Sequence, residues 1–186
     1  MPTWPEITRS VFGAWRLARW DPGGMNYFDL SIRGFWRSFG AAVLVLPVYI
    51  YFVAVNFHGT DASAAWFVIV KALAYGAAWA AFPILMVGLA RILNLSGNYI
   101  PFIIASNWAS VLQVLLFIPV NTFAAFGGLE SGFGALLYLL TMTMVLVYQW
   151  FVARTALQTT KTIAGGLVAV DLFLGLFVAG VFDRLV

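Results

Sequence analysis

Residues 64–90 read AAWFVIVKALAYGAAWAAFPILMVGLA, 27 consecutive positions in which Lys71 is the one charge. A helix rises about 1.5 Å per residue and a bilayer's hydrocarbon core is about 30 Å thick, so about 20 apolar residues suffice to cross it. This run exceeds that length. Four more runs qualify by the same measure: Phe39 to Phe57, Tyr99 to Phe123, Phe133 to Val152 and Ile163 to Phe182. The chain is 63% hydrophobic and 9% charged, against about 45–50% and about 25% in soluble proteins, and only lipid absorbs such an excess. The sequence therefore predicts an all-α fold, a polytopic transmembrane helical bundle of about five spans. It divides into a cytoplasmic or interfacial amphipathic region, residues 1–38, and a five-span domain, residues 39–186.

The charges orient the bundle. Arg9, Arg16, Arg19, Arg33 and Arg37 precede the first span, Arg91 follows the second, and Arg154 and Lys161 lie between the fourth and fifth. The intervening connections carry His58, Asp61 and Glu130 instead. Basic residues in short loops stay on the cytoplasmic side. The expectation is a multi-pass protein of the cell (inner) membrane with its N-terminus in the cytoplasm and a short C-terminus, bearing Asp183 and Arg184, outside. Lys71 lies 20 residues before Arg91, about 30 Å along a helix, and is expected to snorkel to the outer headgroups. Ala62-Ser63-Ala64 has the small-x-small look of a signal cleavage site, but the 38-residue leader before the first span is too long for a secretory signal, so that span is read as uncleaved.

The first 38 residues have a pattern of their own. Thr3-x-x-Glu6 is a capping-box spacing with Pro5 in the first turn, and the helix it opens is expected to reach about Trp20. Trp4, Ile7, Val11, Trp15 and Ala18 share one face, with Arg9, Arg16 and Arg19 towards the other. Such a helix suits the headgroup layer of an anionic leaflet, and it suits equally the cytoplasmic end of its own bundle; the two placements are compatible. Asp21-Pro22-Gly23-Gly24 breaks the chain, and a second helix begins near Asp29 with Arg33, Trp36 and Arg37 at the inner interface.

Two nine-residue pieces, residues 39–47 and 75–83, both read aromatic-Gly-Ala-Ala and end in apolar-Pro. Their small faces would let the two helices approach closely. An inverted-repeat transporter would show such a match, and so would coincidence in a chain this rich in Ala and Gly. The glycine-rich segment 127–134 lacks the Gly-Lys-Ser/Thr ending of a phosphate-cradling loop and reads as an outer connection.

Asp171 stands near the centre of the fifth run, where a carboxylate costs about 2.5–3.5 kcal/mol on insertion scales. It must find partners or carry a proton. A pair with Lys71 is disfavoured, because their depths differ by about 15 Å on helical rise. The third span offers Ser106, Ser110 and Gln113 at helical spacing, with Asn107 beside them and Asn121 further along; the fourth offers Thr141, Tyr138, Tyr148 and Gln149. These side chains are expected to form a polar cluster around Asp171, either as interhelical bonding that fixes packing or as a path for a proton or solute.

No catalytic set is present. The chain has no cysteine, which removes disulfides and thiol chemistry, and His58 with Asp61 falls far short of a metal site. No cofactor is implied, and the arginines are too few and scattered for nucleic acid.

The runs Pro101-Phe-Ile-Ile-Ala-Ser-Asn-Trp108 and Tyr148-Gln149-Trp150, with Ala156-Leu157-Gln158, resemble the bacterial branch of the Yip family of small five-span membrane proteins, over about the second half of the chain. The Asp-Leu-Tyr-Gly-Pro-type element of eukaryotic members is not reproduced; Asp29-Leu30 and Gly34-Phe35-Trp36 match parts of it at another spacing. The resemblance implies a protein acting through partners and bilayer organisation, with no catalytic residues. Two functions follow from these residues. The first is a non-enzymatic membrane protein working through lipid, a membrane-protein partner or a second copy of itself, with Trp4, Arg9, Trp15, Arg16 and Arg19 as contact residues. The second is a small proton-coupled transporter or channel using Asp171.

Overall fold

A computed structural model describes residues 1–55, 57, 62–128 and 131–186. His58, Asp61 and Glu130 lie outside the described residues. The rest form seven α-helices, two 3₁₀ turns and no strand. Helix α1 spans Trp4–Ala18 and is followed by a 3₁₀ turn at Pro22–Tyr27; α2 is Ile32–Ser38, α3 Gly40–Val55, α4 Ala64–Ile92, α5 Tyr99–Ala125, α6 Gly132–Leu157 and α7 Lys161–Asp183. Five segments are long and apolar enough to cross a membrane: Ile32–Val55, Ala64–Ile92, Ser96–Ala125, Gly132–Leu157 and Lys161–Asp183. The last four contain the apolar runs and extend them by a few residues, since helices continue past the apolar boundary until a cap stops them; the first begins seven residues before Phe39 and ends at Val55, two short of Phe57. Ser63, Ser131 and Thr160 supply those caps, accepting from the backbone N–H of Trp66, Gly134 and Ile163.

Helix α5 is the hub. It packs against α6, α3, α1 and α2, while α7 packs against α4 and α6. Burial is uneven along it: Phe102, Ile103, Ile104, Ala105, Asn107, Trp108 and Ala109 are buried near its start, and Val120 alone near its end. The buried positions of α6 gather likewise towards Val152, Ala153, Ala156 and Leu157, and those of α7 are Ala164, Leu167 and Val168. The molecule is thus packed like a soluble core at the end where α1 lies. Towards the other end it opens into helices whose Leu139, Leu140, Phe173, Leu176 and Phe177 face outward. In water that apolar surface would be a severe liability; against hydrocarbon it carries no penalty.

The small faces of the two matched nine-residue pieces do not draw α3 and α4 into close packing. Helix α3 leans on α5 and α4 on α7. A Cβ on Gly40 would meet Pro2, at 2.6 Å, and one on Gly76 would meet nothing within 4 Å. What links α3 to α4 is a pair of tyrosines: Tyr49 donates to Lys71 O at 3.0 Å, Tyr75 donates to Ala42 O at 2.5 Å, and their rings lie 4.6 Å apart.

Candidate functional site

Helix α1 begins at the Thr3/Glu6 capping box, where Thr3 N–H donates to Glu6 Oε2 at 3.4 Å, and Glu6 also pairs with Arg37 of α2 at 2.7 Å. The face that α1 buries carries Ser10, Gly13, Ala14 and Leu17, with Ile7, Val11 and Ala18 partly covered. Trp4 and Trp15, expected on that same apolar side, are exposed. The physical reason is room: small side chains let α1 sit close to its neighbours, and the two indoles are displaced to the edge. Tyr148 of α6 donates to Ala14 O at 2.8 Å and ties the helix down.

Beyond α1 the chain turns back on itself. Asp21 accepts from Gly23 N–H at 2.8 Å and from Arg16 Nε at 2.6 Å, and Arg16 Nη1 donates to Tyr27 Oη at 3.0 Å. The hydrogen bond from Arg16, aided by the Gly23 amide, holds the Asp21 carboxyl below its ordinary range. The same bond raises the Arg16 guanidinium above its own, so both stay charged across the physiological range. Arg9 donates to Asn26 O at 3.1 Å. The Arg19 backbone N–H donates to Arg16 O at 3.0 Å; among the described residues its side chain forms no hydrogen bond or ion pair, and the residue is exposed.

Trp15 is where these features converge. It is 51% exposed and forms a wall shared by three depressions. One, of about 440 Å³, runs between α5 and α6 past Leu112, Leu115, Leu116, Met144 and Val147, with Trp20 at its lip. A second, of about 430 Å³, follows the Ile7, Val11 and Phe12 side of α1 to Leu112. The third, of about 360 Å³, is polar and lined by Arg16, Arg19 and Asp21. An apolar cleft and a basic basin therefore meet at a single indole.

The polar side chains expected around Asp171 do not assemble there. Its carboxylate accepts from Gln149 Nε2 of α6, and no hydrogen bond joins it to Ser106, Asn107, Ser110, Gln113 or Thr141. Asn107 is buried and donates instead to Ser38 Oγ at 2.9 Å, fixing α2 to α5. Ser110 donates to Asn107 O at 2.7 Å, within its own helix. Ser106 Oγ is buried without a partner among the described residues; Thr141 is buried and Gln113 half-buried. The division follows from packing: α7 sits against α4 and α6 and leaves the α5 stripe to α2 and α3.

Asp171 is the eleventh of the 23 residues of α7, about 15 Å from the helix start at Lys161, as its place in the run suggests. It bonds to Gln149, and the adjacent Tyr148 bonds to α1. Gln149 lies eight residues before the end of α6 at Leu157, about 12 Å along the helix, so the bonded pair sits well in from that end. Lys71 finds a partner that its place in the sequence did not name: its Nζ donates to Asp183 Oδ1 at 2.8 Å. The signal was present, since both charges were expected on the outer side.

No protein family, curated protein or solved structure matches this chain. The site's geometry must carry the functional argument unaided.

Proposed function

We propose that the chain is a non-enzymatic, multi-pass protein of the cell (inner) membrane that works by gripping the lipid of the cytoplasmic leaflet, alone or beside a protein partner, with its N-terminus cytoplasmic and its C-terminus outside. The observation that carries this reading is the position of Trp15, half exposed between an apolar cleft and a basin holding Arg16 and Arg19. Indole rings favour the headgroup boundary, and each arginine near an anionic surface contributes about 1 kcal/mol. The eight cations on alternate connections support the same orientation. A Yip-type relationship belongs to this proposal, resting on residues 101–108 and 148–158.

The surroundings of Asp171 count in favour of this reading over proton transport: its carboxylate is held by Gln149, an amide that does not titrate and so cannot pass a proton on.

Brominated lipids in nanodiscs test the proposal. They should quench a tryptophan component that disappears in Trp15→Phe. Arg16→Gln with Arg19→Gln should weaken the preference for anionic lipid severalfold. Asp171→Asn keeps an oxygen for Gln149 to donate to, so its unfolding should shift by less than about 1 kcal/mol, and neither form should carry protons into liposomes. A Trp15 shielded from brominated lipid, or a proton flux abolished by Asp171→Asn, would reject the reading.

A further inference from the structure

At the end of the bundle away from α1, helices α3, α4 and α7 enclose a cavity of about 570 Å³, inside the range of about 300–1,000 Å³ typical of ligand sites. Its inner part is lined by small residues, Ala74 and Ala78 of α4 with Gly175 and Ala179 of α7, so the space is an absence of side chain between helices. The Tyr49 and Tyr75 hydroxyls that reach it are already committed to Lys71 O and Ala42 O. They hold α3 at a fixed distance from α4 and leave their ring surfaces to the slot. From Phe67 at the mouth to Ala78 the wall follows α4 for eleven residues, about 16 Å, or half the hydrocarbon thickness.

The mouth is charged. Lys71 Nζ lies 2.8 Å from Asp183 Oδ1 and 5.6 Å above the Phe67 ring. The Lys71 side chain is 22% exposed and that of Asp183 is 65% exposed. A cation and an anion at the rim of an apolar slot one leaflet deep describe the ligand by complement.

We propose that this cavity binds one phospholipid whose headgroup carries a primary amine beside its phosphate, phosphatidylethanolamine, with an acyl chain lying between α4 and α7. The phosphate takes the Lys71 ammonium and the headgroup amine donates to Asp183, so opening the protein's own ion pair leaves neither charge unmatched. A purely anionic headgroup would face Asp183, and a cationic one would face the deeper Lys71, each leaving one group without a counter-charge. Choline in place of the primary amine has no N–H to donate to the carboxylate. A water-soluble amino-phosphate would satisfy the rim and leave the slot unfilled, which favours the lipid as occupant. The site does not involve α1 and stands apart from the inner-leaflet proposal.

Native mass spectrometry of the full-length protein, equilibrated with equal amounts of phosphatidylethanolamine, phosphatidylglycerol and phosphatidylcholine, reads the occupant directly. One phosphatidylethanolamine should be retained about tenfold over either competitor. Lys71→Gln and Asp183→Asn should each reduce that preference to about twofold or less. Gly175→Leu fills the slot, and because a Cβ at Gly175 meets nothing within 4 Å, it should fold normally while losing about nine-tenths of the retained lipid. Soluble phosphoethanolamine should not compete. Equal retention of the three lipids, unaltered retention in Gly175→Leu, or displacement by phosphoethanolamine would each overturn the assignment. The first would mean annular lipid only and the last a soluble solute.

Discussion

Gly24→Ala is expected to detach α1 from the rest of the protein, although it adds a single methyl group. A Cβ at Gly24 would lie 2.5 Å from Gly13 O, 2.9 Å from Leu17 Cγ and 3.0 Å from Leu17 N. Two of those three are backbone atoms of α1, so no rotamer change relieves the clash and the whole helix must move. Gly13 stands in the reciprocal position, with a Cβ meeting Gly24 O at 2.8 Å and Tyr27 Cβ at 2.9 Å. Overpacking of this kind costs about 1–3 kcal/mol or more, and the shift of α1 also breaks the Tyr148 bond to Ala14 O. The measurable results are faster tryptic cleavage at Arg9, Arg16 and Arg19 and a red-shifted tryptophan emission. Gly76→Ala and Gly88→Ala serve as controls: both positions are open, and Ala is the better helix former by about 1 kcal/mol, so these variants should be as stable as the parent or more so. Unchanged proteolysis in Gly24→Ala would show that α1 does not depend on the close approach.

The consequence reaches the lipid contacts proposed for α1. Trp15 gains its place between cleft and basin because Gly13 and Ala14 let α1 lie against the 3₁₀ turn and α6. Gly24→Ala should therefore abolish the Trp15 quenching by brominated lipid described above, without touching Trp15, Arg16 or Arg19. The cavity bounded by α3, α4 and α7 should keep the lipid proposed for it.

The five long helices were legible in the sequence because run length alone identifies them, and the caps at Ser63, Ser131 and Thr160 sit where the runs begin. The sides of those helices were not. A run such as residues 64–90 is apolar all round, so periodicity does not distinguish the face that meets protein from the face that meets lipid. The missing face information explains why Ser106, Ser110 and Gln113 were grouped with Asp171: they share a side of α5, but which helix that side meets is decided by packing. Gln149 stood among the side chains named for Asp171, and it alone forms the bond. On α1 the periodicity did mark Ile7, Val11 and Ala18 as covered. It could not foresee that Gly13 and Ala14, small enough to be buried deepest, would turn Trp4 and Trp15 outward.

Two phenylalanines of equal hydropathy should separate most widely when truncated. Phe102 is 2% exposed at the packed end and meets the Phe82 ring edge-on at 5.9 Å; Phe177 is 68% exposed on the C-terminal half of α7. Phe102→Ala leaves a void that Ile103, Ile104 and Met86, each buried among its own neighbours, cannot close without moving backbone, and such truncations cost about 3–5 kcal/mol. Phe177→Ala removes a ring that no protein core surrounds; on the membrane reading fluid lipid fills the space at once, so the cost should stay within about 0.5 kcal/mol, the usual bound for substitutions away from a core. Unfolding in mixed micelles of each variant measures the difference. Comparable losses at both positions would mean that the outer halves of the helices pack as tightly as the inner, against some protein surface, and the exposed apolar face of α7 would then be a contact with a partner or a second copy.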